Sequence, residues 1–315
     1  MSRWYLGVDT SNYRTSAALF DAETGAWHNA GRLLDVPAGS IGLRQSDALF
    51  QHTLHLHEMI ARLPQENCRE IRAVCVSTRP RAVEGSYMPC FLAGVNTARS
   101  AAHLLGVPLY ECSHQQGHLA AAALSAQAFD WLFGGALYAW HLSGGTTELL
   151  HVQPGADGLP QADCIGGTTD LAAGQLVDRA GALLGLAFPA GAALEELAEQ
   201  EPDTAFFRPR VQERRFSLSG MENKIKEQAA RGTAPAEIAA FTIRTICAAV
   251  ENATAQAIRE KKLPVLCACG VMSNRMIQRR MAERFGARFA EPRLSGDNAV
   301  GAAVLAAVQH GETLI

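Results

Sequence analysis

Short alternations of apolar and polar residues open the chain, and helical periods follow them. Trp4-Tyr5-Leu6-Gly7-Val8-Asp9 reads as a strand ending in Asp9, Thr10 to Ser16 as a polar turn, and Ala17 to Phe20 as the start of a returning strand. Asp21-Ala22-Glu23-Thr24-Gly25 has the chemistry of a hairpin turn. The same order recurs from Ala136. A strand over 137–142 leads to the turn Ser143-Gly144-Gly145-Thr146-Thr147, a return strand over 148–152 and a second hairpin turn at Pro154-Gly155-Ala156-Asp157-Gly158. Helical periods cover 46–63 and 97–105 in the first half and 170–186 and 235–260 in the second, with buried strands at 71–77 and 265–269. A strand-rich start followed by alternating helices and strands, appearing twice, predicts an α/β protein of two related lobes around a cleft.

Composition narrows the class. A chain of 315 residues exceeds one typical core and suits two. With 48% hydrophobic and 19% charged residues it reads as globular rather than disordered. Gly, His, Arg or Asp interrupts each apolar run before membrane-spanning length. Met1-Ser2-Arg3-Trp4 leads straight into a strand, so no signal peptide and no membrane role are expected, and the expected location is cytoplasmic. Eight cysteines are scattered through apolar segments without disulfide-framework spacing, which predicts buried free thiols. A formal net charge of −3 argues against strong autonomous nucleic-acid binding. Two basic groups depart from that average: Arg208, Arg210, Arg214 and Arg215, and then Arg275, Arg279, Arg280, Arg284 and Arg288. Glu213 and Glu283 among them favour solvated faces, with a local basic patch as the alternative.

Chemistry concentrates in Cys112-Ser113-His114-Gln115-Gln116-Gly117-His118. On a helix, positions i and i+4 share a face, so His114 and His118 can aim two imidazoles at one point, as a metal requires. His52, His55 and His57 on the first long helix read instead as structural or surface residues. Glycines and hydroxyls at the strand turns suit phosphate, because missing Cβ atoms let backbone N–H groups approach closely. Ser143 to Thr147 is the better of two such loops, and Gly270-Val271-Met272-Ser273-Asn274, before a helix, is a third candidate.

These pieces stand in a characteristic order. Leu6-Gly7-Val8-Asp9-Thr10-Ser11, the paired histidines, Ser143-Gly144-Gly145, Phe216-Ser217-Leu218-Ser219-Gly220, Gly270 to Asn274 and Gly296-Asp297-Asn298 together resemble the catalytic subunit family of tRNA N6-adenosine threonylcarbamoyltransferase, historically the O-sialoglycoprotein endopeptidase or peptidase M22 family. The resemblance runs over nearly the whole chain. It implies an actin-like, sugar-kinase-like ATPase fold of two α/β lobes around a nucleotide cleft, which we place at 1–110 plus 292–315 and at 111–291. It implies one divalent metal, iron or zinc, on His114, His118 and Asp297, although Asp297 also suits the N-cap of the apolar helix that follows. His141, two residues before Ser143, is a candidate fourth ligand, with a buried backbone-bonded histidine as the alternative. The family's adenine-nucleotide site maps onto Leu142, Ser143, Gly144, Gly145, Thr146, Asp178, Gly191 and Asn274. The implied reaction is threonylcarbamoyl transfer from threonylcarbamoyl-adenylate to tRNA, with a paralogous scaffold subunit and an accessory ATPase as partners.

Departures from the family pattern are local. Asn12-Tyr13-Arg14 replaces a Cys-Asp-Glu run, the stretch Arg79 to Ser86 is poorer in glycine, Thr146 stands where His or Asn is usual, and Thr168-Thr169-Asp170-Leu171 replaces a Thr-Leu-Asp-Asp-like run. A divergent paralogue acting on another acceptor and a non-catalytic scaffold therefore stay open beside the transferase. A protease has no H-E-x-x-H and no placed nucleophile to support it.

Overall fold

The computed structural model describes residues 3–11, 13–36, 43–201, 205–296 and 298–314. The chain divides into two compact units, Met1–Gly135 with Gln153–Ala162 and Arg293–Ile315, and Ala136–Val152 with Asp163–Pro292.

In the first unit, β1 (Trp4–Ser11), β2 (Arg14–Asp21) and β3 (Trp27–Leu33) form an antiparallel meander. β4 (Ile71–Arg79) and β5 (Leu109–Ser113) extend the sheet in parallel from β1, giving the order β3-β2-β1-β4-β5. β1 is buried along its whole length, which explains its nearly continuous apolar run. Trp4, Leu6 and Val8 pack with Leu56, Met59, Val95 and Ala98 from helices Gln45–Ala61 and Phe91–Leu105. On the opposite face the sheet meets helix Val300–Gln309, whose first turn lies against Gly7.

The second sheet repeats the plan. β6 (Leu137–Leu142), β7 (Thr147–Pro154), β8 (Pro160–Thr168), β9 (Arg215–Phe216), β10 (Val265–Ala268) and β11 (Arg288–Phe289) stand in the order β11-β10-β6-β7-β8-β9. β6 pairs antiparallel with β7 and parallel with β10, as β1 does with β2 and β4. Helices Ala173–Leu183 and Pro235–Glu260 cover the core, where the buried Trp140 indole donates to Thr254 Oγ1 at 2.8 Å. The duplication read from the turns is thus a duplication of strand order.

The sequence-based boundary at 110/111 falls inside the first unit. β5 completes the first sheet, and helix His114–Ser125 follows it directly, so both histidines belong with β1. The cysteines are free, with Cys164 exposed and Cys68 half-buried while the other six are buried. Among the described residues no helix is long and apolar enough to cross a membrane.

Candidate functional site

The histidine pair begins with a helix start. Ser113 Oγ accepts from the Gln116 N–H at 3.2 Å, and Gln116 Oε1 accepts from the Ser113 N–H at 2.7 Å, a reciprocal cap that makes His114 the first helical residue. His118 follows one turn later. Gly301 of helix Val300–Gln309 sets the depth: a Cβ there would lie 1.8 Å from the Gly117 carbonyl oxygen, so the two helices touch backbone to backbone.

The two rings converge. His114 Nε2 and His118 Nε2 stand 2.9 Å apart, with the ring planes at 83°. Behind His114, its Nδ1 lies 3.1 Å from Oδ1 of Asp9, a buried carboxylate in the last part of β1 that also accepts from the Ser77 hydroxyl of β4. An ionised carboxylate only accepts, so the His114 proton belongs on Nδ1 and the lone pair on Nε2 points at His118. Two nitrogens bound to one ion at about 2.0–2.1 Å each stand about 2.9–3.4 Å apart, from right-angled to tetrahedral coordination. The pair fits that requirement, and Asp9 stands where the outer carboxylate that orients a metal-binding imidazole would stand. Among the described residues no group of three or more His, Cys, Asp or Glu side chains surrounds one point. Asp297 lies outside the described residues. Its neighbour Asn298 accepts from the Val300 N–H at 3.0 Å, so capping of that N–H falls to Asn298. His141 belongs to the other unit, half-buried on β6 opposite Glu148.

The glycine loop follows buried Leu142 and turns β6 into β7. Its own serine consumes part of its donor capacity. Ser143 Oγ accepts from the Gly145 and Thr146 N–H groups at 3.3 and 3.1 Å, and the Ser143 N–H donates to the Thr146 carbonyl at 2.8 Å. These three N–H groups close the turn, and that of Gly144 is not among them. The loop lies on the start of helix Ala173–Leu183, where a Cβ on Gly174 would come within 2.5 Å of the Ser143 carbonyl. Thr147 Oγ1 caps the Ala173 N–H at 2.8 Å.

The remaining nucleotide candidates form two further contacts within this unit. Asp178 Oδ1 accepts from the Ala190 N–H at 3.0 Å, which ties it to the turn that begins helix Gly191–Ala198. Asp178 and Gly191 are thereby brought close. Asn274 Oδ1 accepts from Met276 and Ile277 N–H at 3.1 Å each, so the side chain is the N-cap of helix Arg275–Phe285 and keeps its amide NH2 for other contacts.

Comparison with known proteins places the chain. The family model described as tRNA N6-adenosine threonylcarbamoyltransferase matches residues 42–304. The chain belongs to this family. A protein of that name from Rhizobium leguminosarum bv. trifolii is 32% identical over 271 residues, spanning 81% of this chain and 69% of the relative. One from Rhizobium etli is 29% identical over 332 residues, spanning 94% and 86%. Among solved structures, xylulose kinase from Rhodospirillum rubrum aligns with a TM-score of 0.58 at 14% identity, covering 99% of this chain and 91% of that one. T. kodakarensis HypF aligns at 0.58 and 15% identity, covering 96% and 47%. At such identities the likeness is of fold, an actin-like, sugar-kinase-like ATPase fold of α/β class. The family is one of transferase enzymes.

Two of its motifs meet at Asp170, named above only as part of a departure from the family pattern. Asp170 Oδ2 accepts from the Ser217 and Ser219 hydroxyls at 2.5 and 2.6 Å, while Oδ1 accepts from the Leu171, Leu218 and Ser219 N–H groups at 2.6, 2.9 and 3.3 Å. Burial alone would raise this carboxyl, but the hydrogen bonds from Ser217, Ser219, Leu218 and Leu171 hold it well below the carboxylate range. The knot fastens the Phe216–Gly220 motif to the segment after β8. Asp9 was likewise read only as a strand end. The Ser-x-x-Gln cap at 113–116 was visible in the sequence and would have fixed the first helical residue. At the family's first loop, Asn12 lies outside the described residues, and the Arg14 guanidinium lies along the sheet over Gly31 of β3.

Proposed function

We propose that this chain transfers the threonylcarbamoyl group from threonylcarbamoyl-adenylate to the N6 amine of an adenosine beside the tRNA anticodon, releasing AMP. The observation that carries the reading is the convergence of His114 and His118 at 2.9 Å, with Asp9 fixing the His114 tautomer, in a chain of this family. His114 and His118, with Asp297 as third ligand, would hold one divalent ion. Imidazole and carboxylate donors suit iron and zinc alike. When bound, such an ion supplies Lewis-acid polarisation of a carbonyl oxygen.

The chain's own residues bind and orient. Asp9 and Ser77 keep the His114 ring from turning. In the second unit, the Gly144 N–H favours a phosphate at the glycine loop. Asp178 retains one oxygen for a ribose hydroxyl, and the Asn274 amide is a further donor. In the reaction the N6 nitrogen bonds to the carbamoyl carbon as the bond from that carbon to the AMP phosphate oxygen breaks, and N6 loses one proton. No covalent protein intermediate is needed. A paralogous scaffold subunit and an accessory ATPase are the partners that go with this reading.

Arg14 in place of an acidic loop residue favours a second reading, a nucleotide- and metal-dependent transferase with another acceptor. Mass spectrometry of nucleosides from bulk tRNA, after deletion of the gene in its own host, separates the two. Loss of threonylcarbamoyladenosine, restored by the wild type and not by His118→Ala, supports the tRNA reaction. Unchanged modification refutes it and favours the other acceptor.

A further inference from the structure

The two arginine groups that the catalytic reading leaves unused converge in the second unit. A cavity of about 580 Å³ is lined by Arg208 from one group and Arg275, Arg279 and Arg280 from the other, together with Arg244 of helix Pro235–Glu260. Phe206 forms a wall, with the Arg244 and Arg208 guanidinium carbons 4.6 and 5.4 Å from its ring centroid. A second hollow of about 290 Å³ shares Phe206 and adds Phe207, Lys224 and Arg231. Lys224 Nζ sits 5.0 Å from the Phe207 ring. Among the described residues that line both hollows, seven cations face three glutamates, Glu199, Glu227 and Glu251, in a chain whose net charge is −3.

Ion pairing accounts for only part of this charge. Arg275 pairs with Glu195 and Glu199 at 3.2 Å each, and Arg280 with Glu251 at 3.1 Å. Among the described residues Arg208 and Arg279 have no carboxylate partner, and both are exposed. Arg208 and Arg244 both stack on the Phe206 ring, which holds their guanidinium planes at the mouth of the cavity. Concave, basic and interleaved with partly exposed aromatic rings, this surface has the composition of a phosphate-tracking nucleic-acid groove. An acidic peptide would also meet the charge, but the planar guanidinium forks match phosphate oxygens, and the aromatic rings offer faces for bases.

We propose that the Phe206-centred basic strip of the second unit docks the phosphodiester backbone of RNA, deepening the tRNA reading above and resting on it for the identity of the RNA. Arg208 and Arg279 make the direct phosphate contacts, while Arg275 and Arg280, already paired, shape the groove.

The test is binding of the full chain to bulk tRNA over a range of salt concentrations, with inorganic pyrophosphate as competitor. Wild type binds with an affinity that falls steeply with salt. In Arg208→Glu/Arg279→Glu, affinity falls at least tenfold and the salt slope drops by about 1.5, two contacts at about 0.7–0.9 each. The neutral pair Arg208→Gln/Arg279→Gln gives a smaller loss in the same direction, and the exposed Arg62→Glu of the first unit gives none. Thermal midpoint and metal content stay at wild-type values. Unchanged tRNA binding in both double variants overturns the assignment, as does wild type that binds only pyrophosphate. The two readings fail separately. Strip-dependent tRNA binding with unaltered threonylcarbamoyladenosine in the deleted host keeps the strip and removes the reaction. Lost modification in that host, with normal binding by both double variants, removes the strip and keeps the reaction.

Discussion

Two helices of the first unit carry histidines at neighbouring turns, and only one pair converges. On Gln45–Ala61, His52 is fully buried, its Nδ1 2.8 Å from the Thr15 hydroxyl, while His55 is half-buried and His57 exposed. On His114–Ser125 both rings turn their Nε2 atoms toward one point. Helical spacing is available to both, so spacing is not what distinguishes them. The group behind the ring is. A hydroxyl can donate or accept and leaves the tautomer of His52 open, whereas the Asp9 carboxylate forces the His114 lone pair outward. Burial pushes His52 down to about 4 against the pull of the Asp9 charge, so it is neutral at physiological pH and unable to act as a cation.

The comparison breaks first if His118→Ala binds metal as well as wild type. Elemental analysis of the purified variant is expected to show metal lost, with an effect exceeding the roughly 10–100-fold typical of outer partners. Next comes the pH dependence that His52 imposes. Its folded value lies below the ordinary 6.5, so the unfolded chain takes up the proton first as pH falls. Stability is full above pH 6.5 and declines from there down to about 4, by about 3 kcal/mol from this residue alone. Urea unfolding between pH 7 and 5 should show a slope of up to about 1.4 kcal/mol per pH unit, which His52→Gln flattens. A slope retained in that variant would assign it elsewhere.

A third test sharpens the role of the carboxylate. Asp9→Asn keeps an acceptor oxygen and removes the charge, so metal affinity should fall roughly 10–100-fold by competition with a chelator. The same change removes the pull on His52 and should move its pH window lower, an outcome that unlinked sites would not give. The smallest effect belongs to Thr15→Val. Deleting the hydroxyl beside a buried imidazole should lower unfolding stability by about 1–2 kcal/mol and leave metal content untouched.

Much of the frame was legible. Turn chemistry at Asp21–Gly25 and Pro154–Gly158 located both hairpins, and Gly25 and Gly158 have the positive φ angles of 73° and 77° that such turns use. The helix over 235–260 was read to its ends because Pro235 stands at its first turn. Helix Phe91–Leu105 was read six residues late, since Cys90 provides no side-chain cap to announce it. The helix expected from 170 begins at Ala173, because Asp170 spends its oxygens on Ser217, Ser219 and three backbone N–H groups. Cys269 leaves the strand expected to include it through a φ of 75°. At the sites, i and i+4 spacing displayed the histidine pair, but Asp9 lies 105 positions from His114 and only sheet order brings them together. Arg208 and Arg279 line one cavity from segments 71 positions apart that no local pattern connects.

The contact between Gly117 and Gly301 has a consequence for how such a chain changes over time. Side chains that separate two helices act as adjustable spacers, and each substitution among them alters the gap. Here main chain rests on main chain, with less than 2 Å left for any added carbon. The distance from the histidine-bearing helix to its neighbour is set by peptide geometry, which mutation elsewhere does not rewrite. Surface loops around this joint can therefore drift in sequence while the position of His118 stays gauged against a fixed stop.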